Sequence, residues 1–562
     1  MPLLAELKNR VLIVAGSAGI NREMGENSAD WLPALLNLSR PEFVRQIQKQ
    51  QIEAGADIIL TNTAGAVRSV LQRYQAASDC ERINAAGVQI ARTAAGEKGF
   101  VAGHLKTGFR ENYTFENVSF EEMAASYAEQ IEIFLEQKVD LLVAGPLTDL
   151  LELRAAVIAA NERRGTVPLI AMAKFVNGCS DDIGMNAELA AAVLGALDVD
   201  ILGAECWCRT RPRKACLCQF TNHRVAANLV PEDRVQMEAQ AKSLILHGAD
   251  IIFLPEKISS EDTGRFAAAV KGKRLFREQV TFPLRIASAE RVVKIGDARP
   301  FVKIGERINP TNRAALSHSI RDGKTDQVVA DAVAQFEHGA HALDVNVGAP
   351  MADEVLMMGK AVTEIQKSIP LPLVFDSSKV QVLEAGLRAF SGKALVNSVN
   401  GKEKALAEIL PLAKKYGAAI IALTIDETIP ETAEQRFAIL DKILKACDRY
   451  GIRSEDILVD PAALAVATSA GSGPELLRSI RLIKKQYNLP VSLGASNVSF
   501  GLPDRKLVHN TFLAQAIAVG LDAAILNPLD DEVHKIIAAA SLFAGRDEDC
   551  MHYIRMVRAQ PR

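Results

Sequence analysis

The sequence predicts an α/β chain made of two (β/α)8 TIM-type barrels in tandem, and three observations carry that prediction. Short apolar runs of strand length alternate with longer helical segments through both halves, the pattern of parallel strands joined by right-handed helical crossovers. The 562 residues suffice for two such barrels, which take about 250 residues each. In the second half, five runs carry polar residues at or just past their ends: VKIGERINPTNR (302–313), LDVNVG (343–348), VFDSS (374–378), LVDP (458–461) and LGASNVSFGLPDR (493–505). Carboxyl ends of strands are where barrels build their active sites.

Composition narrows the function classes. A formal net charge of -3 and the absence of a basic run give no electrostatic reason to expect nucleic acid or an anionic membrane as partner. The start, MPLLAELKNRVLIVAG, has no long apolar segment followed by a small-residue cleavage site, and no stretch reaches the roughly 18 apolar residues of a membrane span. A soluble, cytoplasmic protein is expected. Eight cysteines in so long a chain are too few for a disulfide framework, which leaves reduced thiols or a metal site.

In chain order, strands are expected at 11–16 (VLIVAG), 56–63 (ADIILTNT), 100–105 (FVAGHL), 139–145 (VDLLVAG), 168–175 (PLIAMAKF), 199–206 (VDILGAEC) and 249–257 (ADIIFLPEK), with helices between them at 41–54, 150–163 and 234–246. The first barrel diverges near 206–218. After Cys206, only residues 207–215 precede the next apolar piece, CLCQF, whereas a parallel crossover needs a dozen residues or more. Either a helix is missing there or the chain turns back. Residues 272–300 mix Arg, Lys and Pro with short apolar patches and read as the connection, giving domains at 1–290 and 291–562. The second half restarts the alternation at Phe301, with helices expected at 325–338, 433–450 and 474–487.

The candidate chemistry sits at the strand ends of the second barrel. Asp344, Asp376 and Asp460, with Asn309, Asn346, Asn397 and Asn497, stand at or beside the ends of separate strands. Carboxylates accept hydrogen bonds and amides both give and accept them, so the set suits a flat heterocycle rimmed with donors and acceptors, such as a pterin. Any one of them alone reads better as a helix cap or turn residue; together they read as one pocket. In the first half, Cys206, Cys208, Cys216 and Cys218 form a C-x-C-x7-C-x-C cluster with His223 beyond it. Four thiolates at this density suit a structural zinc ion or an iron-sulfur cluster, while the plainer reading is buried strand cysteines. His104 reads as a hydrogen-bonded structural residue, and the basic run 209–214 as a solvated turn.

These motifs carry a resemblance. GERINP, LDVNVG, FDSS, VNS, DP and SNVSFGLP occur, in this order over residues 301–528, as in the methyltetrahydrofolate-binding module of cobalamin-dependent methionine synthases and related corrinoid methyltransferases, which the second half resembles. The resemblance implies that Asp376, Asn397 and Asp460 hold the pterin edge. It also places Asn309 and Asp344 in the pocket wall and Asn497, the catalytic candidate, near N5. Its reaction passes the N5 methyl to the cobalt of a reduced corrinoid. A tertiary amine leaves poorly, so N5 must gain a proton or a strong hydrogen bond, and an amide at Asn497 serves either state. Related dihydropteroate synthases carry a lysine near this position, so Asn497 argues for methyl transfer. No D-x-H-x-x-G cobalamin-loop sequence occurs, so a separate corrinoid-binding protein is the expected partner.

The first half resembles the homocysteine-binding barrel of the same synthases through LPALLNLSRPEFV, EAGADIILTNTAGAVR and DLLELRAAVIAA. That module holds zinc through one cysteine after its sixth strand and an adjacent pair after its eighth, which lowers the thiol pKa of homocysteine. Cys206 matches the first ligand, but Pro255 and Glu256 replace the pair. Ala15, Gly145 and Met172 also replace an aspartate, a glutamate and a histidine of the pattern. The resemblance thus implies a methyltetrahydrofolate-dependent corrinoid methyltransferase with a repurposed first barrel. The rivals are a methionine synthase fragment that still methylates homocysteine through a rearranged metal site, and a non-catalytic folate-binding scaffold.

Overall fold

The computed structural model describes residues 2–16, 20, 32–109, 118–175, 185–205, 217–228, 234–255, 258–270, 279–296, 299–468 and 471–559. The chain divides into two compact units, Met1–Val280 and Thr281–Arg562.

In the first unit eight parallel strands close a barrel in sequence order. They are β1 (Leu12–Ala15), β2 (Ile58–Leu60), β3 (Phe100–Leu105), β4 (Leu141–Leu147), β5 (Leu169–Lys174), β6 (Ile201–Glu205), β7 (Arg224–Asn228) and β8 (Ile251–Phe253). β1 pairs with both β2 and β8, which removes every sheet edge. Alternate residues, among them Val14, Val143, Met172, Ile201, Ala226 and Phe253, fill the interior, and Leu3 and Leu7 join them from the first helix and its end. The helices start where the sequence signals them. Ser119 and Glu122 form a reciprocal capping box ahead of the helix Phe120–Glu136, and Asp149 caps Leu150–Asn161.

One sequence-based expectation is corrected. The apolar piece CLCQF is not the seventh strand: Leu217–Gln219 forms a short 3-10 turn, and the strand follows it at β7. β7 pairs in parallel with β6 in unbroken register. The chain between β6 and β7 is therefore longer than the sequence reading allowed and meets the length a parallel crossover needs.

The second unit opens with an antiparallel hairpin, β9 (Leu284–Ala287) and β10 (Val292–Ile295). Its eight-stranded parallel sheet comprises β11 (Val302–Ile308), β12 (Ala342–Val345), β13 (Leu373–Asp376), β14 (Leu395–Val399), β15 (Ala419–Leu423), β16 (Ile457–Asp460), β17 (Ser492–Gly494) and β18 (Ala523–Leu526). A single parallel bridge, Val459 to Val491, links the sheet's two ends and brings the barrel to near closure. The hairpin is part of this unit's core: Leu284, Ile286 and Ile295 pack with Ile304, Val374 and Leu458. It is tied in place by reciprocal backbone hydrogen bonds between Ala287 and Lys393 of 2.8 and 3.0 Å. Thr432 and Gln435 form a second capping box, and Gly451, at φ 72°, ends that helix in the left-handed conformation a glycine adopts without strain. Among the described residues no helix is long and apolar enough to cross a membrane.

Candidate functional site

At the carboxyl ends of the second barrel's strands lies a cavity of about 600 Å³. Asn309, Asp344, Asp376, Asn397, Asp460 and Asn497 all line it. Each is delivered by a different strand or the turn after it, because strands of this barrel end at a common level.

The carboxylates are anchored before any ligand arrives. Asn397 Nδ2 donates to Asp344 Oδ1 at 3.1 Å, and Asn346 Nδ2 donates to Asp376 Oδ2 at 2.9 Å. Asn346 is not itself among the lining residues; the structure gives it the task of holding Asp376. Asp460 Oδ1 accepts the backbone N–H of Ala462 at 2.8 Å. Asn309 accepts the N–H of Thr311 at 3.0 Å, so the turn-residue reading and the pocket reading both hold for it.

Burial governs the electrostatics. Asp344 and Asp460 are 5% and 8% exposed. Loss of water, and then the nearby charge of Asp376, push Asp344 well above the usual carboxylate range. Burial also raises Asp376, against the hydrogen bond from Asn346, and brings Asp460 to about 6 despite the backbone N–H groups of Ala462 and Gly494. Low dielectric and like charge thus favour protons on these carboxyls, and a protonated carboxyl donates as well as accepts.

Three features of the cavity were not assigned from sequence. Glu306, within GERINP, lines it, and the Ser496 hydroxyl donates to its two oxygens at 3.0 and 3.3 Å. Burial raises Glu306 as well. Arg313 lines the cavity while its guanidinium takes both oxygens of Asp331 at 2.7 and 3.0 Å, which fixes the turn bearing Asn309. Ile425 and Ile429, after β15, give the cavity an apolar wall, Ile429 being 49% exposed.

Asn497 differs from the other amides. It lies in the 3-10 turn Ala495–Ser499 directly after β17, and it is exposed. Arg505 braces that turn through the Ser496 carbonyl at 3.0 Å, and His509 Nδ1 lies 3.1 Å from the Ala495 carbonyl. Among the described residues the Asn397 and Asn346 amides are spent on carboxylates, whereas no side-chain hydrogen bond engages Asn497.

The first barrel presents a different end. The parity that points Met172, Ile201 and Ala226 inward continues to Lys174, Glu205, Asn228 and, after β8, Pro255. His104 lies with Nε2 2.9 Å from the Gly145 carbonyl, as a structural histidine would. Cys206, Cys208 and Cys216 lie outside the described residues, as does Glu256, and of Cys218 only the backbone in the 3-10 turn is described. No group of three or more His, Cys, Asp or Glu suited to a metal occurs among the described residues.

Comparison with known proteins gives each half of the chain its own family match. Residues 12–252 match the homocysteine S-methyltransferase family, and residues 305–527 match the pterin binding enzyme family. Methionine synthase of Mycobacterium tuberculosis (strain ATCC 25618 / H37Rv) is 27% identical over 93% of this chain, and that of Mycobacterium leprae (strain TN) is 26% identical over 93%. The chain spans about half, 48%, of the length of both relatives. Among solved structures, the metallated homocysteine methyltransferase MmuM from Escherichia coli aligns with 48% of this chain and 99% of its own, at 19% identity and a TM-score of 0.39.

Proposed function

We propose that this chain, a methionine synthase-like methyltransferase with a homocysteine S-methyltransferase domain followed by a pterin-binding domain, exchanges a methyl group between N5 of methyltetrahydrofolate and the cobalt of a corrinoid. The corrinoid is carried by a corrinoid-binding protein and supplies a reduced cobalt nucleophile for the methyl. Everything else is asked of the second barrel's side chains.

Asp376, Asn397 and Asp460 hold the pterin's donor and acceptor edge, pre-positioned by Asn346, by Asp344 and by the Ala462 N–H. Ile425 and Ile429 shield one side of the flat ring from water. Asn497 faces the reacting nitrogen. As the methyl leaves, N5 changes from a crowded amine into a good hydrogen-bonding partner, and an unencumbered amide can meet that change with its carbonyl or its NH2. Carboxyls whose burial favours the protonated state stand in the same cavity as proton reservoirs.

The observation that carries this reading is the exposed Asn497 amide, unengaged among the described residues, beside a set of carboxylates whose partners are already in place. An interaction that strengthens in the transition state raises the rate more than the affinity. Asn497→Ala is therefore expected to slow methyl transfer by roughly tenfold or more while changing the dissociation constant of methyltetrahydrofolate by much less. Rapid-mixing kinetics beside an equilibrium titration makes the comparison, and equal losses in both would remove Asn497 from this role.

The described residues of the first barrel do not fit the zinc site of the homocysteine-binding module. Pro255, which stands where the family's paired cysteines begin, has no donor atom for a metal, and the ammonium of Lys174 stands at the same end of the barrel.

A further inference from the structure

On the outer face of the second barrel, basic side chains gather around a lysine that meets no acid. Val302 and Ile304 turn into the core, so Lys303 between them points out toward the helices. Its Nζ lies 3.0 Å from Nδ1 of His534, on the helix Asp531–Phe543. His534 Nε2 lies 2.7 Å from the Pro528 carbonyl, which can only accept. The ring proton therefore sits on Nε2, and Nδ1 is a bare acceptor facing the amine. Among the described residues no carboxylate comes within ion-pair distance of Lys303; its amine meets His534 instead.

The other neighbours are mostly bases. The backbone N–H of Lys303 donates to His341 Nδ1 at 2.9 Å. Burial, then the charges of Lys303, Arg291, His534 and His552, push His341 down to about 3. Burial and Lys303 lower His534 as well, with His338 adding to the effect and Asp531 opposing it. Burial brings Lys303 itself down to about 8, so part of the population carries a neutral amine near neutral pH. Access then selects a small electrophile. Lys303 is part-buried, and a Cβ on Gly339 would stand 3.3 Å from Nζ, so the backbone after the helix Asp326–Glu337 closes that side. The charges select the product, because a new negative charge on this nitrogen would meet bases rather than acids.

We propose that Lys303 is a site of reversible carbamate formation with dissolved carbon dioxide. The Nζ lone pair attacks the carbon, a C–N bond forms, and one C=O electron pair moves onto oxygen. The proton released by the nitrogen passes along the existing hydrogen bond to His534 Nδ1. The product is a carbamate anion beside an imidazolium, an ion pair where the free amine had none. No reactant besides carbon dioxide is consumed, and the assignment is independent of the methyl-transfer reading of the same barrel.

The test uses the whole chain equilibrated with isotopically labelled bicarbonate near pH 8. Carbon NMR is expected to show a protein-bound carbamate. Trapping with a trialkyloxonium salt, proteolysis and mass spectrometry should then place the alkyl carbamate on Lys303 in preference to exposed lysines such as Lys404. At fixed dissolved carbon dioxide the yield should grow as pH rises through about 8, since the neutral amine is the nucleophile. Lys303→Arg should abolish the trapped adduct at this position. His534→Phe removes the proton acceptor and its ion pair and should lower the adduct at Lys303 roughly tenfold, with melting temperatures in bicarbonate-free buffer checking that both variants fold. If either does not, the map of the wild-type chain decides alone. No adduct on Lys303, an adduct no greater there than on Lys404, or a bound-bicarbonate signal that trapping does not fix to the protein would overturn the proposal. So would an undiminished yield in folded His534→Phe.

Discussion

Asp460 shows how a residue can be read from sequence as a group but not as an individual. Its position in LVDP, after an apolar run, marked a strand end, and the set of Asp and Asn residues marked a pocket. What the string could not carry is the environment: 8% exposure and two backbone N–H groups that together leave its pKa at about 6. The sign of the consequence follows. The folded value lies above the ordinary aspartate value of 3.8, so the folded state binds the proton more tightly. That contribution to stability is complete below 3.8 and is lost as pH rises through about 6. In Asp460→Asn the loss disappears. Relative to wild type, the ligand-free variant should gain up to about 3 kcal/mol between pH 4 and pH 7. Denaturant unfolding at the two pH values measures this, and a pH-independent difference would mean that Asp460 is ionised freely in the folded state. Asn346 was legible as a site residue but not as the partner of Asp376, because a hydrogen bond between neighbouring strands has no sequence spacing. Glu306 sits in a quoted motif, yet nothing in its neighbours signals that Ser496, far along the chain, would meet it.

At the scale of elements, the strands with continuous Val, Ile and Leu were legible because a strand buried on both faces needs them. β7 was not. RVAAN has one branched apolar residue, and of its two small alanines only Ala226 joins the barrel's interior cluster, so no hydrophobic run advertises the strand. The hairpin β9–β10 was read as a connection because Arg285, Arg291 and Lys294 break its apolar pattern. Its geometry explains the discrepancy. The two strands hide only Leu284, Ile286, Val293 and Ile295 against the second barrel's core, and their attachment depends on close backbone contact. Gly392 is the point of contact: a Cβ there would stand 1.9 Å from the Ala287 carbonyl oxygen. Backbone cannot yield as a flexible side chain does, so Gly392→Ala should cost roughly 1–3 kcal/mol. Thermal unfolding of the full chain should show an earlier transition, with near-wild-type methyltetrahydrofolate affinity at low temperature. An unchanged transition would show that the hairpin does not need this approach.

For the whole molecule, two barrels were legible from length and alternation, and both are present. Function was unevenly legible. The second barrel concentrates its chemistry at strand ends that recur with the fold, so its pocket could be assembled from the string. In the first barrel, Lys174, Glu205 and Asn228 share the inward parity at one level but lie far apart along the chain. Only register brings them together.

The central claim is that the second barrel transfers the N5 methyl of methyltetrahydrofolate to cobalt. Its most direct test is a single-turnover experiment in which the intact chain and methyltetrahydrofolate are mixed with Co(I) cobalamin, the cobalt spectrum is followed, and homocysteine is then added. The expected result is formation of methylcobalamin at a rate that depends on the protein, with no consumption of it when homocysteine arrives. No protein-dependent methylcobalamin, despite saturable folate binding, would contradict the account and leave a folate-binding scaffold in its place.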